Sequence, residues 1–565
     1  MSHTAFEITT VASKCKNVQS LACWKNYLMV GCSDGTLHLY QTANANNSTE
    51  YNLMRTIPKF SRQKKAIVQL KVVEKWSMLL CLSDSYVCLH DLASFNFIKK
   101  MRTTKYCNTF CIHEDEGMLC CSVNKQLIIF KWDGHQFLDY NELDLPSNAK
   151  TISFLGPTRL CVGFRREYDL LDVETGDILR ELVRTGKSEK PVLTTVKAPE
   201  SWLPIYNQSN NNNNDINNNN NDRRSTYKKN NRYAAPGELL VSKDSWGIFF
   251  GQDGNASRNT SEFVQWTNCP ISCMTAFPYL VSITPDAIEV HHIGTLRCAQ
   301  LLTMNNANCL ICSPATRTIN NNNNNNSTAQ SNVSVPLPRV FVSTSNSVHM
   351  LTMTPIDDQL NALAEKLCFP EAISLCKLSK ERLIHVDYNG SESAFEKYTN
   401  RLYDLRWQFI RSLFQTSNYS RALIQCKEGI SDPLLVISLF PGLAPDGVTL
   451  ALQKNLKNSD DDDNNNNNNE QNIINEPGNN GKGNSNEYIS SFDNKAITAL
   501  LIPYLMYVRN KWKQILKKKK MVNNNRDNSS DNDDDNNHNL FSMNRIVHGS
   551  ERIVSLKQLV DTCLL

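Results

Sequence analysis

The stretch "LCVGFRREYDLLDVETGDIL", residues 160–179, decides the fold. Two alternating segments, "LCVG" and "EYDLLDV", flank a short polar break, and an Asp/Gly turn then opens a third segment. Period-two alternation belongs to strands, and Gly, Asp and Asn at the breaks are turn formers. Nothing in the stretch is catalytic in kind.

The unit recurs. An apolar run closed by Gly or Ser appears as "LMVG" at Gly31, "LCLS" at Ser83, "LCCS" at Ser122 and "LCVG" at Gly163. It returns as "LLVS" at Ser242, "YLVS" at Ser282 and "VFVS" at Ser343. A second strand follows each copy: "TLHLY", "YVCLHDL", "QLIIFKW", "EYDLLDV", "WGIFF", "AIEVHHI" and "SVHMLTM". The small residues are spaced by 52, 39, 41, 79, 40 and 61 positions. The three long spacings contain "TANANNSTE" and the Asn-rich tracts Asn210–Asn221 and Asn320–Asn326. Without those loops one period of ~40 residues remains, the value for a four-stranded propeller blade. A pair of β-sandwiches is the competing reading, but a regular repeat speaks for a ring. The small residue is expected to let the backbone turn tightly before the next antiparallel strand.

After "TMTPIDDQL" the period changes to that of helices. "DDQLNALAEKLCFPEAISLCKL" (357–378) sets Leu360, Leu363, Ala364 and Leu367 on one helical face, with Asp357 or Asp358 as N-cap. Residues 393–429 read as a helical hairpin, and "FPEAISLC" and "NYSRALIQC" look like one repeated unit. Further helices are expected over 493–520 and 550–565. Stacked helix pairs make an α-solenoid, which generally needs a polar cap. An apolar final helix predicts a longer array or a partner at the end. The expected organisation is an all-β seven-bladed propeller over 1–354 followed by an all-α solenoid over 355–565. Asn-rich inserts near 195–233, 316–334, 457–490 and 521–540 are expected to be disordered loops, and a self-associating role is the alternative.

Composition excludes more than it suggests. A net charge of +4 on 565 residues is too mild to argue for nucleic acid or a membrane surface from charge alone. The N-terminus lacks the apolar core of a secretory signal. "AITALLIPYLMYV" (496–508) carries Pro503 and falls short of the ~20 residues of a membrane span. A soluble protein on the cytosolic side is expected. The 19 cysteines are scattered through apolar runs and read as reduced packing residues. Cys309 and Cys312 form a CxxC without a second pair, and His291–His292 lies on a strand without a recognisable third ligand. No metal, cofactor or catalytic set is therefore assigned. "GNNGKGN" (478–484) has the wrong spacing for a phosphate loop. The WD pair in "KWDGH" proves no family by itself. "KKKK" (517–520) reads as a solvated helix end, with a phosphoinositide contact as the alternative. Arg165 and Arg166 are the candidate partner-binding residues, with a structural charge pair at a blade edge as the other reading.

Five stretches carry a resemblance: "SLACWKNYLMVGCSDGTLHLY" (20–40), "KKAIVQLKVVEKWSMLLCLSDSYVCLHDLASF" (64–95), "LCVGFRREYDLLDVETGDILRELVRTGK" (160–187), "SDPLLVISLFPGLAPD" (431–446) and "LKQLVDTCLL" (556–565). In this order they resemble the citron-homology (CNH) domain joined to a clathrin-heavy-chain-like solenoid, as in the Vam-type subunits of the HOPS tethering complex. The resemblance implies a non-enzymatic tether without cofactors that promotes fusion of late endosomes with lysosomes or vacuoles. Its implied partners are other HOPS subunits, a late-endosomal Rab GTPase and the membranes themselves, with no nucleic acid. Cytoplasmic localisation, peripheral on those membranes, goes with it. Two alternatives stay open: a CORVET-type early-endosome tether of the TRAP family, and a CNH-domain scaffold binding small GTPases. That family continues its solenoid beyond the point where this chain ends, so the helical part is expected to be incomplete.

Overall fold

Each of the seven repeated units forms the second and third strands of one four-stranded antiparallel sheet. The small residues lie in the second strands, at or near their C-terminal ends: Tyr27–Cys32, Met78–Ser83, Met118–Val123, Arg159–Gly163, Glu238–Lys243, Tyr279–Ile283 and Arg339–Ser343. Seven such sheets make a seven-bladed propeller. Blade one spans 18–57, two 69–100, three 107–144, four 151–184, five 193–265 and six 272–303. Blade seven takes three strands from 309–353 and its outer strand from the N-terminus, Phe6–Ala12. That strand pairs antiparallel with Val348–Met353, Phe6 opposite Met353, and closes the ring. The protein is described from a computed structural model, over residues 3–42, 50–186, 191–196, 238–251, 253–259, 261–313, 338–386, 392–429, 436, 439–440, 497–511 and 513–514. The four Asn-rich tracts, "KKKK" and the helix expected at 550–565 lie outside the described residues.

The second strands are continuous apolar runs because both of their faces are covered. Met78–Ser83 and Met118–Val123 are buried at every position. Outer strands are wet: in Tyr51–Ile57 the five central residues are exposed. The apolar cores sit between blades. Leu80, Leu82 and Leu89 of blade two meet Phe110, Leu119 and Phe130 of blade three. Tyr168 and Leu170 of blade four meet Leu239 and Val241 of blade five.

The small residue serves a different purpose from the one expected. Gly31 and Gly163 are not among the left-handed glycines. A Cβ on Gly31 would stand 2.5 Å from Ser20 Oγ and 2.7 Å from Ile67 Cγ2, and one on Gly163 2.6 Å from Thr151 Cγ2. At three positions where Ser replaces Gly its hydroxyl is bonded: Ser242 Oγ accepts from Val192 N–H at 3.1 Å, Ser282 Oγ accepts from Trp266 Nε1 at 2.9 Å, and Ser343 Oγ donates to Asn308 Oδ1 at 2.6 Å. Ile67, Trp266 and Asn308 all belong to connections between blades. Close packing under those connections selects the small residue, and the turn itself does not.

The change of period at 354–355 matches the end of the last strand at Met353 and the start of α1 (Ile356–Glu365). α2 (Phe369–Val386), α3 (Glu392–Gln415) and α4 (Tyr419–Gly429) follow. The face drawn through Leu367 needs correction. The helix stops before it, and Leu367 takes φ +57° and is exposed. Asp357 and Asp358 are first-turn residues, and the N-cap is Pro355, which makes no side-chain bond. The repeat itself is real. Leu367 and Cys368 N–H donate to Ala364 and Leu363 carbonyls, and Ser417 and Asn418 N–H donate to those of Phe414 and Leu413. Both turns are thus Schellman motifs 50 residues apart, with a left-handed residue at Leu367 and Ser417. Leu363, Ala372 and Cys376 in the first pair match Leu413, Ala422 and Cys426 in the second, and all six are buried.

By packing the chain divides into two compact units, 1–399 and 400–565. In the first, α1 is tied to the propeller by Gln359, which meets Tyr279 of blade six and His3. In the second, a helical segment over 497–511 buries Leu500, Leu501, Tyr504, Leu505 and Val508, one stripe of a helix. No described helix is long and apolar enough to cross a membrane.

Candidate functional site

Phe164 N–H donates to Glu167 O at 2.8 Å and closes a tight turn with Arg165 and Arg166 exposed at its tip. Thr185, in the connection leaving blade four, holds that tip: its N–H donates to Arg166 O and its Oγ1 to Arg165 O, both at 2.8 Å. The turn between second and third strands is joined in the same way elsewhere around the ring. Tyr106 N–H donates to Ser85 O, Leu145 N–H to Lys125 O, Trp266 N–H to Ser245 O and Met304 N–H to Asp286 O. Hairpin turns and inter-blade connections therefore lie together on one face.

Over blades one to four this face is basic. The connection 13–17 brings Lys14 and Lys16, and the connection 58–68 brings Lys59, Arg62, Lys64 and Lys65. Arg102 and Lys105 come between blades two and three, Lys150 between three and four, and Lys125 from the hairpin of blade three. All are exposed. The acids in the hairpin turns of blades one and two on this face are Asp34 and Asp84, and Asp84 is occupied by Ser61 Oγ at 2.7 Å. None of Lys59, Lys64, Lys65, Arg102 and Lys105 forms a salt bridge among the described residues. Val68 and Tyr106 stand exposed beside them, at 52% and 58%, so the cations share the face with apolar surface.

The opposite face carries the turns between first and second and between third and outer strands. In blades two to four it offers Glu74, Glu114, Asp115, Glu116, Asp133, Glu174 and Asp177 against Lys75. Over blades two to four the small net charge thus conceals a polarity through the thickness of the ring. A field of this kind steers an anionic partner to one side alone. Net charge alone carries no argument for a surface role, and it does not report how the two signs, mixed along the chain, are sorted by strand direction. "KFSRQKK" (59–65) was the signal available in the sequence.

The other candidate residues separate. Cys309 and Cys312 share one strand at odd spacing, and Cys309 Sγ donates to Gln19 O. A strand sends such residues to opposite faces, so they form no chelate. His291 and His292 likewise diverge. His292 Nδ1 accepts from Gly294 and Thr295 N–H, and burial pushes its pKa down to about 3. His291 Nε2 lies 3.1 Å from Gln265 O and 3.8 Å from Glu289 Oε2, and burial lowers its pKa against the pull of that carboxylate. Beside it a cavity of about 810 Å³ opens between blades five and six, lined by Glu238, Arg258, Gln265, Gly294, Arg297 and Cys298. Its arginines are paired, Arg258 with Glu238 at 2.7 Å and Arg297 with Glu371 at 2.8 Å.

Comparison with known proteins gives the ring its relatives. The family described as the CNH domain matches residues 24–313. A vacuolar sorting protein 39 of Arabidopsis thaliana is 24% identical over 80% of this chain and 38% of its own length. A Vam6/Vps39-like protein of Mus musculus is 21% identical over 80% of this chain and 45% of its own. A transforming growth factor-beta receptor-associated protein 1 homolog of Danio rerio is 20% identical over 76% of this chain and 43% of its own. The chain spans less than half the length of these relatives.

Proposed function

The chain belongs to the CNH-domain family and is of the Vps39 type, and from that premise we propose that it is a non-enzymatic membrane-tethering subunit in vesicle transport. It acts as part of a HOPS-like complex that brings late endosomes to lysosomes or vacuoles, with a Rab GTPase as one membrane anchor. The observation that carries the reading is the polarised ring. One face is basic, partly apolar and made of short turns, which suits the anionic cytoplasmic surface of an endosome. The opposite face carries acids on hairpin turns over blades two to four. The helix pairs that follow, repeated with one turn geometry, suit assembly with other subunits along a solenoid.

Affinity capture of the tagged full chain from cells, read by mass spectrometry, tests the assignment. Recovery of the other HOPS subunits is the expected result, and a capture without them overturns it. The similarity to the receptor-associated protein homolog favours a second reading, a CORVET-type tether on early endosomes. Cells lacking the protein separate the two. Accumulated unfused late endosomes follow from the first reading, and a defect confined to early endosomes follows from the second.

A further inference from the structure

Glu289 and His291 project from the same side of the third strand of blade six, two residues apart, and Cys298 pairs directly opposite His291 on the outer strand. One donor atom from each, a carboxylate oxygen, a ring nitrogen and the thiol sulfur, lie within 4.8 Å of one another. Glu289 and His291 are each 1% exposed. Two features of this cluster are unusual for a merely structural one. His291 Nδ1 is buried without a hydrogen-bond partner. Glu289 places one oxygen on Thr267 N–H and Oγ1, while its other oxygen lies 3.8 Å from His291 Nε2 and forms no salt bridge with a lysine or arginine among the described residues. A buried carboxylate without a cation and an orphaned ring nitrogen are each costly.

We propose that Glu289, His291 and Cys298 form a binding site for a divalent transition-metal ion, Zn2+ by their chemistry. The mixed oxygen, nitrogen and sulfur set is the one Zn2+ takes, and hard cations such as Mg2+ and Ca2+ prefer oxygen alone. Bond lengths of roughly 2.0–2.3 Å require the three donors to draw together by about 1 Å, within the reach of side-chain rotation. The surroundings are already arranged for it. Gln265 O takes a hydrogen bond from one His291 nitrogen and orients the ring, and Thr267 orients Glu289. Cys298 and Gln265 also line the inter-blade cavity, so solvent or a ligand atom entering from it completes the coordination. The ion joins the third and outer strands of blade six, while Gln265 at the end of blade five holds the histidine that ligates it.

The test uses the full chain, stripped with chelator and titrated with Zn2+ alone in competition with a chelating dye. One equivalent is expected to bind, and Cys298→Ser, a near-isosteric change, to weaken binding at least tenfold. Co2+ in place of Zn2+ is expected to give a thiolate charge-transfer band that Cys298→Ser removes. Because His291→Gln alters a buried position, alkylation of the unchanged chain supplies an independent measurement. Zn2+ is expected to slow modification of Cys298 at least tenfold while Cys269 reacts as before. Failure to bind Zn2+, or binding that survives Cys298→Ser and is lost instead in Cys309→Ser, overturns the proposal.

Discussion

The two faces of the propeller are built from the same strands yet obey different constraints. On the face with Arg165 and Arg166, each hairpin turn is bonded to a connection crossing into or out of its blade, as Thr185 is to Arg166 and Tyr106 to Ser85. Lengthening either partner there would break a bond that locks two blades. On the other face the turns join neighbouring strands of one blade. The long segments between Thr42 and Glu50, Val196 and Glu238, and Ser313 and Pro338 all begin and end on that face. Insertion is tolerated where a loop closes within a blade, since extra loop length costs little when nothing else depends on it. The long segments thus depart from the face opposite Arg165 and Arg166, and the cations over blades one to four give the face of those two arginines its sign.

The largest effect that would break this contrast is electrostatic. Replacing Lys64, Lys65, Arg102 and Lys105 together by Glu should weaken binding to anionic vesicles by roughly a hundredfold or more, since each cation near such a surface contributes ~1 kcal/mol. Vesicle co-sedimentation measures it, and retained binding would remove the basic face from the reading. Next comes packing. Gly163→Val forces a side chain into Thr151 and Pro191 and should cost about 1–3 kcal/mol in chemical unfolding. An unchanged midpoint would mean that the blade junction yields more easily than its contacts imply. The smallest effect belongs to the other face. Reversing Glu114, Asp115 and Glu116 to Lys should leave vesicle binding within about twofold, because charges more than a Debye length of ~10 Å away are screened. A large gain there would show that net charge, and no particular face, governs attachment.

The repeat was legible because its cause is local. Each "LCVG"-like run is a second strand buried on both sides, and burial on both faces forces an unbroken apolar sequence. The paired helices were legible for the same reason, through "FPEAISLC" and "NYSRALIQC", although the left-handed stop at Leu367 was not. Leucine gives no warning of a helix end. Arg165 and Arg166 were visible as a pair, but not as members of a surface, because their companions come from four other connections spread over more than a hundred residues.

Sequence alone determined the number of blades, the strands that make them and the point where helices begin, since hydrophobic period and turn residues act over a few positions. Tertiary structure alone decided that the N-terminal strand completes blade seven, that charges of opposite sign part to opposite faces, and that Glu289, His291 and Cys298 meet. Those outcomes depend on strand direction and ring closure, which set distances between residues that no local pattern links.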